Sequence, residues 1–321
     1  MAGTPAPHGL ESDCKHVAPS DGEFKGRLRF HQSWYRHHAL GLSPGPNPQA
    51  GGELYGSMLT DSDGQRGFNF LTDEIYGFAA QRLSEGEGAI EPDRLRRNLL
   101  SSQPMCFNLF GPLHADLHLA TRLISTLPGV PRGLKVRDVQ VEYDGEGLLG
   151  DRTAFDAFVE YELENGDLGF IAVETKLTEP FSQKEYPSKR YTDWFARDNG
   201  WWLPGSETDF PNPETNQLWR DHLLTFAVLR QSPGKYKEAF CAVVYHDLDE
   251  GCPAAIKAYR RKLTEAGQAT LLEWPLGKIL SSWHPSADTR QQSDWLSALR
   301  LRYVDVNASE LAWSKYREKQ R

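Results

Sequence analysis

Two apolar runs, residues 155–163 and 168–177, are separated only by Glu164-Asn165-Gly166-Asp167, and they constrain the fold more than any other stretch. Asn-Gly between apolar runs marks a β-hairpin. Successive side chains of a strand point to opposite faces, so the residues sort by parity. Odd positions Phe155, Ala157, Val159, Tyr161 and Leu163, with Ile171, Val173 and Leu177, form one apolar face, and Thr175 is its polar member. The even positions then place Asp156, Glu174 and Lys176 together on the other face, beside Phe158, Phe170 and Ala172. A two-residue turn would set the parities against each other. The pattern therefore predicts a three-residue loop, 165–167, that pairs Asp156 across from Lys176.

Two carboxylates on adjacent strands can hold a hard divalent cation, which takes oxygen ligands. Such an ion polarises a phosphoryl oxygen and acidifies its bound water. A lysine two residues beyond the glutamate reaches the same place, where it can orient the attacking water or neutralise developing charge. The backbone carbonyl of Thr175 is a further candidate ligand. The bland alternative is a solvated sheet face with a Glu–Lys pair worth a fraction of a kcal/mol. Three apolar neighbours on the same face argue against it.

The surrounding segments read as helices, then β-β-β-α-β-α-β, then helices, a mixed α/β arrangement. Residues 1–22, rich in Pro, Gly and His, read as a disordered leader without the apolar stretch of a signal peptide. Residues 24–47 are basic and aromatic, and His37-His38 there reads as polar surface. Thr72 caps a predicted helix over 72–84, a second follows Pro92, and a third is expected over 113–127. Strands are predicted over 135–143, 240–245 and 270–274, and helices over 214–230, 253–265 and 291–302. The expected division is a helical extension over 23–130, a core over 131–305 and a tail over 306–321.

Composition adds bounds. The chain has 321 residues, 39% hydrophobic and 25% charged, enough for a sizeable core. No run of about 18 apolar residues exists, so no membrane helix is expected. Cys14, Cys106, Cys241 and Cys252 form no CxxC pair, which suggests free thiols and a cytoplasmic address. The net charge of −8 counts against a protein that coats nucleic acid, but not against one that binds it locally.

Asp at the start of one strand with Glu-x-Lys on the next, inside a β-β-β-α-β order, resembles the PD-(D/E)XK nuclease superfamily. The stretches SSQPMCFNLFGPL, GDRTAFDAFVEYE, GFIAVETKLTE and NQLWRDHLL look like those of bacterial restriction-endonuclease-like proteins, over residues 25 to 305. The resemblance implies a restriction-endonuclease-like α/β fold with a mixed central sheet (an αβββαβ core). It implies Asp156 and Glu174 as metal ligands, Lys176 as the catalytic lysine, and Mg²⁺, replaceable by Mn²⁺. It further implies hydrolysis of phosphodiester bonds in double-stranded DNA, in restriction, defence or repair. Two departures stand out: Phe155 precedes the first acid where proline is usual, and Asp221 stands where the RecB-like branch has tyrosine four residues after Gln217.

Supporting candidates are Glu142 as an extra ligand, and Gln217, Arg220 and Arg152 near the cleft. Asp151 rivals Asp156 but precedes the strand in a Gly-rich turn. The segment 181–213 interleaves Lys184, Lys189 and Arg190 with Trp194, Trp201 and Trp202, as a nucleic-acid lid would. His114 and His118 flank Asp116 but lack a third ligand. A homodimer would be needed to cut both strands in concert. The rival readings are a silent nucleic-acid- or protein-binding module on the same fold, and a hydrolase of small phosphoesters.

Overall fold

The computed structural model describes residues 9–86, 88–151, 153–184, 189–197, 200–209, 212–231 and 234–320. Five α-helices that matter for the site precede the main sheet: α1 (Glu23–Tyr35), α2 (Asp73–Glu85), α3 (Pro92–Arg97), α4 (Ser102–Ala115) and α5 (Leu117–Ile124). Helix α1 escapes a hydropathy reading because Arg27, His31, Gln32 and Ser33 are buried together with Leu28, Phe30 and Tyr35. His31 Nε2 and Gln32 Nε2 bond the Leu301 and Arg302 carbonyls, and Arg27 reaches Ser309. Thr72 caps α2 as expected, accepting the Ile75 N–H at 3.3 Å.

Two expectations for this region are corrected. The phrase SSQPMCFNLFGPL is itself helix α4, with Ser101 as its N-cap and Pro104 in the first turn, where proline is tolerated. The single helix expected over 113–127 is broken at Asp116, whose Oδ1 accepts the His118 and Leu119 N–H groups and starts α5. Of the expected 1–22 leader, residues 1–8 lie outside the described residues, and 9–22 pack against the rest of the chain. The buried Arg36 guanidinium requires an anion, and Glu11 supplies it at 2.7 Å, while Lys15 pairs with the 54–56 backbone.

The main sheet holds β1 (Lys135–Tyr143), β2 (Phe155–Glu162), β3 (Leu168–Lys176), β4 (Tyr236–Tyr245) and β5 (Leu271–Pro275), in that spatial order. Strands β1, β2 and β3 pair antiparallel, and β3, β4 and β5 pair parallel. Helix α6 (Asn216–Gln231) makes the crossover from β3 to β4. Then follow α7 (Gly251–Arg260), α8 (Leu276–Trp283), α9 (Arg290–Tyr303) and α10 (Glu310–Gln320). The 306–321 tail is thus largely helix α10, whose Trp313 and Tyr316 pack on Phe30 of α1, each at 5.1 Å.

The hairpin register differs from the expected one by two residues. Ala157 faces Val173 and Glu162 faces Leu168. The three-residue loop is 164–166, closed by Leu163 N–H to the Asp167 carbonyl at 2.8 Å. Gly166, at φ 84, takes the left-handed position that ends such a loop, so the loop lies one residue earlier than expected. Parity survives, because a shift of two restores every side chain to its face. Ala157, Val159, Tyr161, Ile171, Val173 and Leu177 enter one core with α4 and α5. Phe158, Phe170 and Ala172 enter a second core with α6 and α7. Phe155 is the exception: it joins the second core, stacked on Tyr143 at 6.2 Å.

Candidate functional site

Strands β1 and β3 end where β2 begins, and this edge collects carboxyl groups. Val141 pairs Ala157 and Tyr143 pairs Phe155, so Glu142 stands opposite Asp156. One step beyond the Ala157–Val173 pair, the same register sets Asp156 opposite Glu174. Three acids therefore cross three adjacent strands in a row, an arrangement that repels itself unless something positive joins it. Glu142 adopts φ 60, alone among the described non-glycine residues with positive φ. Its carboxylate accepts the Ala89 N–H and Gln103 Nε2, each at 3.0 Å.

Asp156 Oδ2 accepts the Thr175 N–H at 2.7 Å and the Thr175 hydroxyl at 2.6 Å. Burial, then the Glu174 and Glu142 charges, push the Asp156 carboxyl well above the usual carboxylate range despite these bonds. Burial also raises the Glu142 carboxyl, with Glu174 adding to it.

Lys176 lies two residues beyond Glu174 on the same strand and face. Its Nζ stands 2.8 Å from Glu174 Oε1 and donates to Gln217 Oε1 at 3.0 Å. Gln217 Nε2 in turn donates to Glu174 Oε1 at 2.6 Å, and the Ser182 N–H reaches Gln217 Oε1. Gln217 sits in the first turn of α6, so the crossover helix locks the Glu–Lys pair from above. Burial alone would lower the Lys176 ammonium, but the Glu174 and Asp156 carboxyls hold it above the ordinary lysine value. Lys176 is a fixed positive charge.

A cleft of about 370 Å³ opens over these groups, lined by Glu142, Asp156, Glu174, Lys176, Gln217 and Asp221 among others. Two of its acids were not foreseen as site residues. Glu179 holds the entry of α4: it accepts the Ser102 N–H at 2.9 Å and stands 3.2 Å from Arg94. Burial would raise its carboxyl, but the N–H donors with Lys176 and Arg94 bring it below the usual value. Asp221 lies one turn after Gln217, and its Oδ2 is buried with no hydrogen-bond partner among the described residues. Burial and Glu174 push it well above the carboxylate range. An acid on an otherwise apolar helix stripe was the available signal.

The other candidates divide. Arg220 is buried on α6, donating to Thr153 Oγ1 and Asn216 Oδ1, and so ties the helix to the turn before β2. Asp151 serves that turn, accepting the Thr153 N–H and the Tyr191 hydroxyl. Arg152 lies outside the described residues. Lys184 is exposed and lines the cleft, while Lys189 and Arg190 are exposed on a short helix beside it. Trp201 and Trp202 are not available to bases: both are buried in the second core, with Trp202 Nε1 bonded to the Tyr259 hydroxyl. Indole area was worth more inside than at a lid. His114 is likewise structural, stacked on Phe78 at 4.2 Å with Nδ1 on the Val139 carbonyl.

The donor chemistry suits a hard cation. Every acid converging on the cleft offers oxygen, the acids Glu142, Asp156, Glu174, Glu179 and Asp221 outnumber the cations Arg94, Lys176, Lys184 and Arg220 that line it with them, and Asp221 Oδ2 lacks a hydrogen-bond partner among the described residues. Among the described residues, the cleft acids do not bring three donor atoms within 4.8 Å of one another.

No curated protein and no solved structure matches the chain. Among the described residues, no helix is long and apolar enough to cross a membrane. A family model, that of the PD-(D/E)XK nuclease superfamily, matches residues 19–305. Proteins of this superfamily are nucleases that generally use divalent metal ions, and the mixed five-stranded sheet agrees with their restriction-endonuclease-like fold. With that match running through nearly all of the sequence, the chain belongs to the PD-(D/E)XK nuclease superfamily.

Proposed function

We propose that this protein is a Mg²⁺-dependent nuclease that hydrolyses phosphodiester bonds in DNA, with Asp156, Glu174 and Lys176 as its catalytic residues. The observation that carries the proposal is the row Glu142, Asp156, Glu174 across three strands, with the Lys176 ammonium 2.8 Å from its last member. Asp156, Glu174 and the Thr175 carbonyl would hold the cation, and Glu142 would add a further oxygen. Bound Mg²⁺, or Mn²⁺ in its place, supplies Lewis acidity at the phosphoryl oxygen and acidifies water. Lys176 orients the attacking water and offsets negative charge as the phosphorus becomes five-coordinate. Gln217 keeps the ammonium and the Glu174 carboxylate in register. Lys184, Lys189 and Arg190 contact phosphates at the rim.

A module that only bound nucleic acid would gain by losing the acid row, which repels phosphate when no cation is present. That asymmetry favours catalysis over the silent-binding reading. The setting would be restriction, defence or repair, with a homodimer wherever both strands are cut.

The test is incubation with plasmid, linear and single-stranded DNA, and with RNA, across divalent metals. Cleavage should require Mg²⁺ or Mn²⁺ and fall by about 100-fold or more in Asp156→Ala, Glu174→Ala and Lys176→Ala. If wild type and variants bind DNA alike and none ever cuts, the protein is a binding module and the proposal fails.

A further inference from the structure

A second cavity, of about 410 Å³, adjoins the catalytic cleft and has no part in the chemistry proposed above. It lies outside the carboxyl ends of the parallel strands β3 and β4, where open α/β sheets hold their ligands. Residues 178–183, which follow β3, and 249–255, which follow β4, form two of its walls. We infer that this cavity takes an unpaired nucleobase bearing an exocyclic amino group, beside the phosphate held in the cleft. The inference rests on the proposed nuclease reading and names the kind of strand it acts on, one with a base free of its partner.

The two spaces share a wall. Glu179 and Pro180 line both. Phe181 lines the second cavity, and the Lys176 ammonium of the first lies 5.3 Å from its ring centroid. Base and phosphate belong to one nucleotide, so a phosphate beside Lys176 brings its base to this wall. The cavity has the size of an ordinary small-molecule site, and a base inside a duplex, stacked and paired, cannot enter it.

Charge divides the labour between them. Arg94, Lys176, Lys184 and Arg220 line the cleft, whereas the charged residues that line the second cavity, among the described residues, are the acids Glu179, Glu214 and Asp249. Phosphate is attracted to the first and repelled by the second. The N-terminus of α7, which could otherwise draw an anion, is already closed. Asp249 Oδ1 accepts the Gly251 N–H at 2.7 Å and the Cys252 N–H at 3.1 Å, and Pro253 has no N–H to offer.

What remains suits a flat ring with N–H groups on its edge. Phe24 of α1 and Phe181 supply aromatic walls, on which bases of any kind can pack. Glu179 is taken by the Ser102 N–H and Arg94, which leaves Glu214 and Asp249 to read the ring's edge. A carboxylate only accepts hydrogen bonds, so it pairs with the amino group of cytosine, adenine or guanine. Thymine opposes it with carbonyl oxygens instead. Gln183, also at the cavity, can donate to a ring nitrogen or carbonyl beside that amino group.

Fluorescein-labelled oligodeoxycytidylate and oligothymidylate, each about 12 nucleotides long, should be titrated with the full chain by anisotropy, with Ca²⁺ in place of Mg²⁺ and a duplex of equal length alongside. The cytidine strand should bind at least about tenfold more tightly than the thymidine strand. Ala254→Trp, at an exposed position that lines the cavity, should bring the cytidine strand down to the thymidine affinity. It should leave the thymidine strand, the duplex and the melting temperature unchanged. Equal binding of the two strands by wild type, or a cytidine affinity that survives Ala254→Trp, overturns the base site and leaves the nuclease reading standing. Binding of the duplex and of neither single strand does the same. A chain that binds no nucleic acid at all overturns both.

Discussion

Glu142 faces Asp156 across two antiparallel strands, and burial first, then the nearby Glu174 charge, hold both carboxyls above the usual carboxylate range. Groups so placed keep protons in the folded chain that they release when it unfolds. Stability from such groups is fully present below the unfolded carboxylate value, near 4, and is lost as pH rises through the folded values. Above about pH 7, where the buried histidines are neutral folded or unfolded, melting of the metal-free protein should therefore decline as pH rises, and millimolar Mg²⁺ should flatten the decline. A melting temperature that climbs with pH in chelator would show that these carboxyls ionise freely.

Asp221 should behave unlike most buried polar residues. Its Oδ2 has no hydrogen-bond partner, and its charge is disfavoured by burial and by Glu174. Asp221→Asn removes that ionisation, so at about pH 8 the metal-free variant should be more stable than wild type by roughly 1 kcal/mol. Urea unfolding in chelator measures it, and a less stable variant would refute this account of the residue.

Lys176 and Glu174 form a buried pair, so deleting one partner strands the other. Lys176→Met should cost about 3–5 kcal/mol in chelator, and Mg²⁺ should restore part of the loss by neutralising Glu174. Gln217→Leu should cost less, because the Lys176–Glu174 contact remains, yet it should slow cleavage. Equal unfolding midpoints for Lys176→Met and wild type would contradict the buried-pair assignment.

At Glu142 the backbone and the side chain can be separated. Glycine adopts φ 60 without penalty, whereas alanine pays about 1 kcal/mol there. Glu142→Gly should accordingly be the more stable of the Gly and Ala variants, while both bind Mg²⁺ more weakly than wild type. Calorimetric titration and melting together decide this. Indistinguishable stabilities would mean that the strand relaxes on substitution.

Lys184 and Trp201 should give opposite phenotypes. Lys184→Ala should weaken DNA binding and reduce the salt slope by about one, leaving the fold intact. Trp201→Ala should instead lose about 3–5 kcal/mol of stability, since its ring is buried beside His222 and Phe226. Fluorescence anisotropy at several salt concentrations, with thermal melts, separates the two.

The acid–acid–lysine edge was legible because strand parity is a local property. Asp156, Glu174 and Lys176 needed only alternation and two apolar faces to be brought together. Their register was not, because it depends on which loop residue takes the left-handed conformation, and Gly166 rather than Asp167 closes the turn. Helix α1 was hidden by polar side chains that bond carbonyls hundreds of residues away. Helix α4 was hidden by its proline and glycine, which burial on both sides overrides. The tryptophans of 181–213 were ambiguous in principle, since interleaved cations and rings describe a lid and a covered core equally well.

Gly166 sits at the far tip of the hairpin from the acid row, on the order of 25 Å away at the usual strand rise. It works as a ruler's zero mark: moving it re-indexes every facing pair down to Asp156 and Glu174. A random search for inactive variants should thus recover hits in that distant tip as well as among the acids of the row, and such hits would be alignment errors in an otherwise complete set of reactive groups.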